Sequence, residues 1–215
     1  MSLEIEFSFR GQTFNDAAKG LLEFHTALER DWDGAARVLS RELKNYLDSV
    51  AETLRQRHSG AWPGGTTANT LSMRSGALVN SIVASVHVSG ETFTTVQGTI
   101  GSDVPYAKIQ EEGGTISARN VTYLTIPLKA ALNADGTPIH DRARDWPNTF
   151  VARSKAGNLI IFQKTLGKIV PLYVLRTSVV IPARLGLRTT LESGVPYFVG
   201  RAADAIMAAA RGAHA

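Results

Sequence analysis

The sequence predicts an α+β chain: a mainly antiparallel, twisted sheet packed against a long N-terminal helix and a C-terminal helix. Three observations predict it. From Ala35 to Arg57, Val38, Leu39, Leu43, Tyr46, Leu47, Val50, Ala51 and Leu54 recur at three- and four-residue steps, the period of a helix with one apolar stripe. Phe150–Arg153 and Leu159–Gln163 flank Ser154-Lys155-Ala156-Gly157-Asn158, a hairpin signal. Near the end, Val199, Ala202, Ala203, Ile206, Met207 and Ala210 form one narrow helical face before Gly212. No internal repeat or dividing linker is visible. Residues 1–215 therefore read as a single α+β domain, with a flexible loop at 59–72 and a long excursion at 133–149.

Each element has its own signal. Leu3–Arg10 alternates apolar and polar residues, the period of a strand with one wet face. Gly11 turns the chain, and Asn15 is placed to cap a short helix whose apolar side is Ala18, Leu21, Leu22, His25 and Leu28. The rod from Ala35 to Arg57 follows, roughly 35 Å long. It is too short and irregular for a free-standing coiled coil, so its stripe is expected to lie across a sheet. Ser59–Ser72 is polar and Gly-rich. Its Gly65 is followed by Thr66 and Thr67 without the lysine of a phosphate-binding loop, so a mobile or interface loop is expected.

Ser75–Ser81 reads as a short helical turn. Ile82–Val88 and Phe93–Ile100 read as strands joined by Ser89-Gly90-Glu91. Tyr106–Glu111 reads as a helix stopped by Gly113-Gly114, and Val121–Ile126 as a strand ending at Pro127. Periodicity disappears from Asn133 to Thr149. Ile169–Ile181 is the most hydrophobic strand, with neither face clearly wet, so both faces need cover. A second subunit and the chain's own helices both remain open for that role. Pro171 cannot donate to a ladder, which suits an edge or a strand beginning. Pro196 is placed for the first turn of the last helix.

Composition narrows the function classes. The chain has 215 residues, 44% hydrophobic and 20% charged, enough for a substantial core and too apolar for a disordered chain. It has no Cys, which removes disulfides, thiolate metal sites and cysteine nucleophiles together. The acidic start, Met1-Ser2-Leu3-Glu4, lacks a secretory n-region, and no apolar run approaches the ~18 residues of a membrane span. A soluble chain folding in a reducing compartment is expected. The net charge of +4 comes from scattered residues, with small groups at Arg55, Arg57 and His58, at Arg142 and Arg144, and at Arg184 and Arg188. That describes a mildly basic surface rather than a nucleic-acid stripe.

Catalytic and metal signatures are missing from the sequence. The five histidines, His25, His58, His87, His140 and His214, include no i, i+4 pair. There is no GxSxG elbow and no GxGxxG. Glu111 and Glu112 are adjacent, so on a helix they diverge by roughly 100° and do not face a common substrate. No cofactor, metal or catalytic residue is assigned.

Three segments, read in order, point to a family. Arg74-Ser75-Gly76-Ala77-Leu78-Val79-Asn80-Ser81-Ile82 resembles the "R-[ST]-G-x-L-x-x-S-[IV]" opening of small tail-completion and virion-morphogenesis proteins of tailed bacteriophages. Val104–Ile116 resembles their "v-x-Y-A-x-[IL]-[QH]-E-x-G-G-x-I" segment through Tyr106, Ala107, Ile109, Gln110, Glu111, Gly113 and Gly114. Val180-Ile181-Pro182-Ala183-Arg184 is similar to their late "[IV]-P-A-R". The order fits too: long helix, SGxL turn, hairpin, YAxIQE turn, then a strand entering PAR. The resemblance spans roughly Ala35–Leu191. Where the family commonly has Pro-Phe after the PAR arginine, this chain has Leu185-Gly186.

The resemblance implies a structural virion protein of the head–tail junction and no enzymatic activity. It implies a ring of identical subunits, six or twelve, at the head-proximal end of the tail, joining connector or head-completion proteins to a tail tube or terminator. DNA would pass through the lumen with at most passive contact, and no membrane is involved. The subunit would be made in the host bacterial cytoplasm and end in the virion. The contact candidates are Ser75, Gly76, Leu78, Tyr106, Gln110, Glu111, Gly113, Gly114, Pro182 and Arg184. Among them, Ser75 is expected to cap a helix, Leu78 and Ile82 to plug the core, Tyr106 and Ile109 to bury one side of their turn, and Gln110 and Glu111 to stay free. Arg184 is expected to clamp a carboxylate. Two other readings stay open: a nucleic-acid-binding protein using basic loops, and an enzyme with a dispersed active site.

Overall fold

A computed structural model describes residues 7–9, 12–14, 17–61 and 66–212 of the chain. Its elements in order are β1 Phe7–Phe9, β2 Gln12–Phe14, α1 Ala17–Arg57, α2 Ala77–Ala84, β3 His87–Ser89, β4 Gln97–Thr99, α3 Ala107–Glu112, β5 Gly114–Ser117, β6 Leu124–Pro127, β7 Thr149–Arg153, β8 Leu159–Thr165, β9 Lys168–Arg176, β10 Ser178–Ile181 and α4 Leu187–Gly212. The strand pairs among the described residues are antiparallel, and the chain is α+β as predicted. The sheet is divided: β6-β9-β8-β7 form one four-stranded sheet, and β1-β2, β3-β4 and β5-β10 are separate ribbons. No helix among the described residues is long and apolar enough to cross a membrane.

The fold gathers into two compact units, one of Met1–Ala51, Ile82–Gly101 and Thr190–Ala215, the other of Glu52–Ser81 and Ser102–Thr189. Three of the borders fall inside α1, α2 and α4, so no Pro- or Gly-rich stretch marks them in the sequence.

In the first unit, α1 carries buried Leu47, Val50 and Ala51 of the stripe the periodicity picked out, and buried Ala36, which lies outside that stripe. The β3–β4 hairpin lies against it at Gly98, where a Cβ would come within 2.6 Å of the Leu47 side chain. On the α4 side, the Tyr46 ring stacks on Phe198 at 5.1 Å and its hydroxyl donates to the Leu191 carbonyl. A Cβ at Gly194 would meet the Tyr46 ring at 2.7 Å, so glycine sets that approach. Glu42, only 7% exposed, is matched by Arg201 at 3.2 Å and Arg41 at 3.5 Å, as a buried carboxylate requires.

In the second unit, the four-stranded sheet buries Leu172 and Tyr173 against Ala131, with Trp146, Ile161 and Val170 around them. The Trp146 indole N–H donates to the Tyr173 hydroxyl at 3.1 Å, which settles a buried polar tip. The 133–149 excursion thereby covers one sheet face. Its own order comes from a 3-10 turn at Ala143–Asp145 and from Thr137, whose N–H and hydroxyl both donate to Asp135. Those two bonds hold the Asp135 carboxyl below its usual range. Leu54, Leu78 and Leu185 are buried in the same unit. Each buried aliphatic side chain contributes about 1.5–3 kcal/mol over its exposed state.

Several expectations change. The two N-terminal helices are one, because Gly34 is tolerated in mid-helix at a cost of about 1 kcal/mol and has open space where a Cβ would stand. Leu22, expected on a buried side, is 67% exposed. Leu3–Glu6, Arg10, Gly11, Asn15 and Trp62–Gly65 lie outside the described residues. Ile82–Ala84 is helix, not strand: Leu78, Val79 and Ile82 complete one helical face at 8%, 5% and 0% exposure. Strands β3 and β4 shrink to three residues each around a loop in which Gly90 takes φ +102.

The long strand 169–181 splits at Thr177 into β9 and β10, which belong to different sheets. β9 is central, not an edge. Pro171 fits there because the register slips between Ile161 and Phe162 and because β6 has already ended opposite Tyr173. The last helix starts at Leu187, so Pro196 lies inside it. Of its expected narrow face, Ala202 is buried, while Val199 and Met207 are each 55% exposed.

Candidate functional site

Helix α3 is where the second and third motif segments meet. The Gln110 carbonyl accepts the N–H groups of Arg184 and Leu185, both at 2.8 Å. Gly113 then stops the helix at φ +70, its N–H returning to the Ile109 carbonyl. A Cβ there would stand 2.9 Å from the Ala183 nitrogen and 3.1 Å from the Ile181 carbonyl oxygen. Glycine is required twice, by backbone conformation and by space. Gly114 opens β5 opposite Ile181 of β10, so the residues around YAKIQEEGG and IPAR run side by side. Pro182 is exposed at the exit from β10.

Glu111 is not free for a partner. Its carboxylate accepts the Leu187 N–H at 2.8 Å and the Arg188 N–H at 2.9 Å, so it caps α4 from a distant part of the chain. These are donors that the helix cannot satisfy within itself, and a carboxylate suits the positive end of the helix dipole. Arg184, expected to clamp a carboxylate, donates its Nε–H to the Thr67 carbonyl at 2.9 Å. It thereby ties the 66–72 loop, which also bonds within itself through Thr66 and Ser72 and through Thr67 and Thr70.

His58 is the residue that sequence reasoning missed. Grouped by composition with Arg55 and Arg57, it is 2% exposed and bridges two segments. The Leu71 N–H donates to its Nδ1 at 3.0 Å, which assigns the proton to Nε2, and Nε2–H donates to the Leu185 carbonyl at 2.9 Å. Burial pushes its pKa down, the Leu185 carbonyl works the other way, and Arg57 adds to the lowering. Nothing local marks a histidine at a helix end as buried. Leu185, its partner, is 2% exposed, and Gly186 takes φ +67, a conformation in which Phe would be strained.

The first motif segment lines a cavity of about 880 Å³ together with the other two. Ser75 accepts the Ala77 N–H at 3.3 Å at the start of α2, Gly76 takes φ +73, and Leu78 is 8% exposed. Tyr106, Gln110, Ile181 and Arg184 form the facing wall. Tyr106 is 45% exposed, contrary to its expected burial, because Ala107 takes the inward position of that turn. Gln110 Oε1 is buried without a hydrogen-bond partner among the described residues.

Apart from Ile82, all three motif segments fall in one unit: the second and third are interlocked through their main chains, and the first lines a cavity with them. His58 has both ring nitrogens engaged by the backbone, so it does not face a substrate as acid or base. Among the described residues, no three His, Asp or Glu side chains gather as a metal site would require. No protein-family model, curated protein or solved structure matches the chain.

Proposed function

We propose that this chain is a structural subunit of the head–tail junction of a tailed phage or prophage. It acts by association alone, as a ring of six or twelve copies at the head-proximal end of the tail, between connector and tail tube or terminator. It is made in the bacterial cytoplasm and incorporated into the virion. One observation supports this above the others: two of the segments that carry the resemblance, far apart in sequence, interlock at one junction, and the third lines the same cavity. Main-chain locking of this kind suits a part that holds shape under assembly forces. A ring follows when one heterologous contact repeats through a rotation that closes.

The test is genetic and direct. Inactivating the gene in the phage that carries it is expected to leave filled heads and separate tails under the electron microscope, with joining restored by the intact gene. Normally joined, infectious particles from the inactivated phage would overturn the proposal.

A further inference from the structure

The second unit has a charge asymmetry that the overall +4 conceals. Between Asp145 and Glu192 the chain has Arg153, Lys155, Lys164, Lys168, Arg176, Arg184 and Arg188, and no acidic residue. The first five lie on the four-stranded sheet and its turns, all exposed, and none pairs with a carboxylate among the described residues. Arg153 and Arg176 donate instead to the Gly157 carbonyl and Asn158 Oδ1.

The same end of the sheet is apolar. In the turn between β8 and β9, Leu166 is fully exposed, and Ile169 beside it is 62% exposed. The register puts Phe150 opposite Phe162, Phe162 opposite Pro171, and Lys164 opposite Ile169, so these five side chains share one face. Phe150 and Phe162 stack at 5.6 Å, and Phe150 remains 41% exposed. Tyr173 and Ile161 occupy the other face, which the excursion covers. Ile160 on the same face is buried, so the open part is the end near the turn, with Phe150 and Ile169 exposed, Lys164 flanking them and Lys168 at the turn.

We infer that the open end of this face is a docking surface for a second copy of the chain, which offers the part of its α1 that carries Leu22, Trp32 and Asp33. Two arguments select that occupant. A two-fold contact of the face with itself would set lysines against lysines, which like-charge repulsion opposes. The first stretch of α1 is complementary: from Ala17 to Gly34 it has Glu23, Glu29, Asp31 and Asp33 against Lys19 and Arg30. It also has Leu22 at 67% exposure and, about three turns on, Trp32 at 53% exposure with its ring against Phe93 and Asp33 exposed next to it. Basic-apolar on one part and acidic-apolar on another makes a head-to-tail contact, the kind that repeats into rings. DNA would also favour the positive charge, but a fully exposed leucine with exposed Ile169 and Phe150 calls for a partner with apolar surface of its own.

This inference rests on the proposed assembly from identical subunits, and it is tested apart from the virion. Sedimentation of the purified full chain at about 0.05 M salt is expected to show concentration-dependent association, weakened about tenfold or more near 0.5 M as charges are screened. The double substitution Lys164→Glu and Lys168→Glu, and separately Leu166→Ser, are expected to leave the thermal unfolding curve in place and abolish association. Asp33→Lys alone is expected to weaken it. Mixing the Lys164→Glu/Lys168→Glu protein with the Asp33→Lys protein is expected to restore part of it, because the reversed charges then match. A wild-type chain that stays monomeric throughout, a sheet variant that associates as wild type does, or a mixture without recovery would each overturn the inference. Duplex DNA that binds the wild type and not the sheet variant, with no self-association, would overturn it in favour of nucleic acid. A chain that associates through this face yet is dispensable for joining heads to tails would instead count against the proposed function alone.

Discussion

Two regions of the second unit use their residues in opposite ways. At the α3 junction, Gln110, Glu111, Gly113 and His58 are engaged by distant backbone groups. At the β8–β9 turn, Leu166, Ile169, Lys164 and Lys168 are exposed. The residues that carry the family resemblance therefore work mainly inside the fold. Surface chemistry suited to a partner lies where no motif pointed. A recognisable motif can mark the lock that shapes a subunit rather than the face that touches a neighbour.

Substitutions at the junction should be the most damaging. Gly113→Ala combines positive φ with a main-chain clash, whereas Gly157→Ala has the same φ problem and open space. The first is expected to cost about 3 kcal/mol or more and the second about 1–2 kcal/mol, read by thermal unfolding. Equal losses at the two glycines would show that the close approach at Gly113 is not tight. Next comes Glu111→Ala, expected to cost about 1–2 kcal/mol by uncapping α4, with Glu111→Gln recovering part because its amide oxygen still accepts. Hydrogen exchange should localise the loss to the first turn of α4.

Acid should act on the junction through His58. Its folded pKa is depressed below the unfolded value of about 6.5, so the unfolded chain binds the extra proton first. Stability from this group is complete above that value and declines as the pH falls toward the folded pKa. A protonated Nδ1 would face the Leu71 N–H, so both the 71 and 185 segments should loosen together. His58→Gln is expected to flatten this part of the pH–stability curve, and an unchanged slope would remove His58 from the account. The smallest effect is expected at the turn: Leu166→Ser should change stability by less than about 0.5 kcal/mol. A larger loss would mean that Leu166 supports the fold and would erase the contrast between the two regions.

Much of the fold was legible because short-range periodicity suffices for it. Leu47, Val50, Ala51 and Leu54 announced the buried stripe of α1, and Ser154–Asn158 announced the β7–β8 hairpin. The stop of α3 was legible in Gly113-Gly114. Ile82 and Val83 misled because β-branched residues favour strands locally while their i, i+3 and i+4 spacing with Leu78 and Val79 suits a helix. The start of α4 was not legible at all, because its cap comes from Glu111. For the candidate site, the positions of the segments were readable, and the roles of Glu111, Tyr106, Arg184 and His58 were not.

By itself the amino-acid sequence determined the α+β class, the long helix, the antiparallel hairpins and the charge asymmetry of residues 146–191, because all of these rest on local spacing and composition. The tertiary structure alone decided that one hydrophobic run serves two sheets, that a glutamate caps a helix far along the chain, and that a histidine grouped with arginines is buried and neutral. Those outcomes depend on which distant main-chain donors and acceptors lie within about 3 Å of a side chain, and no local pattern encodes that distance.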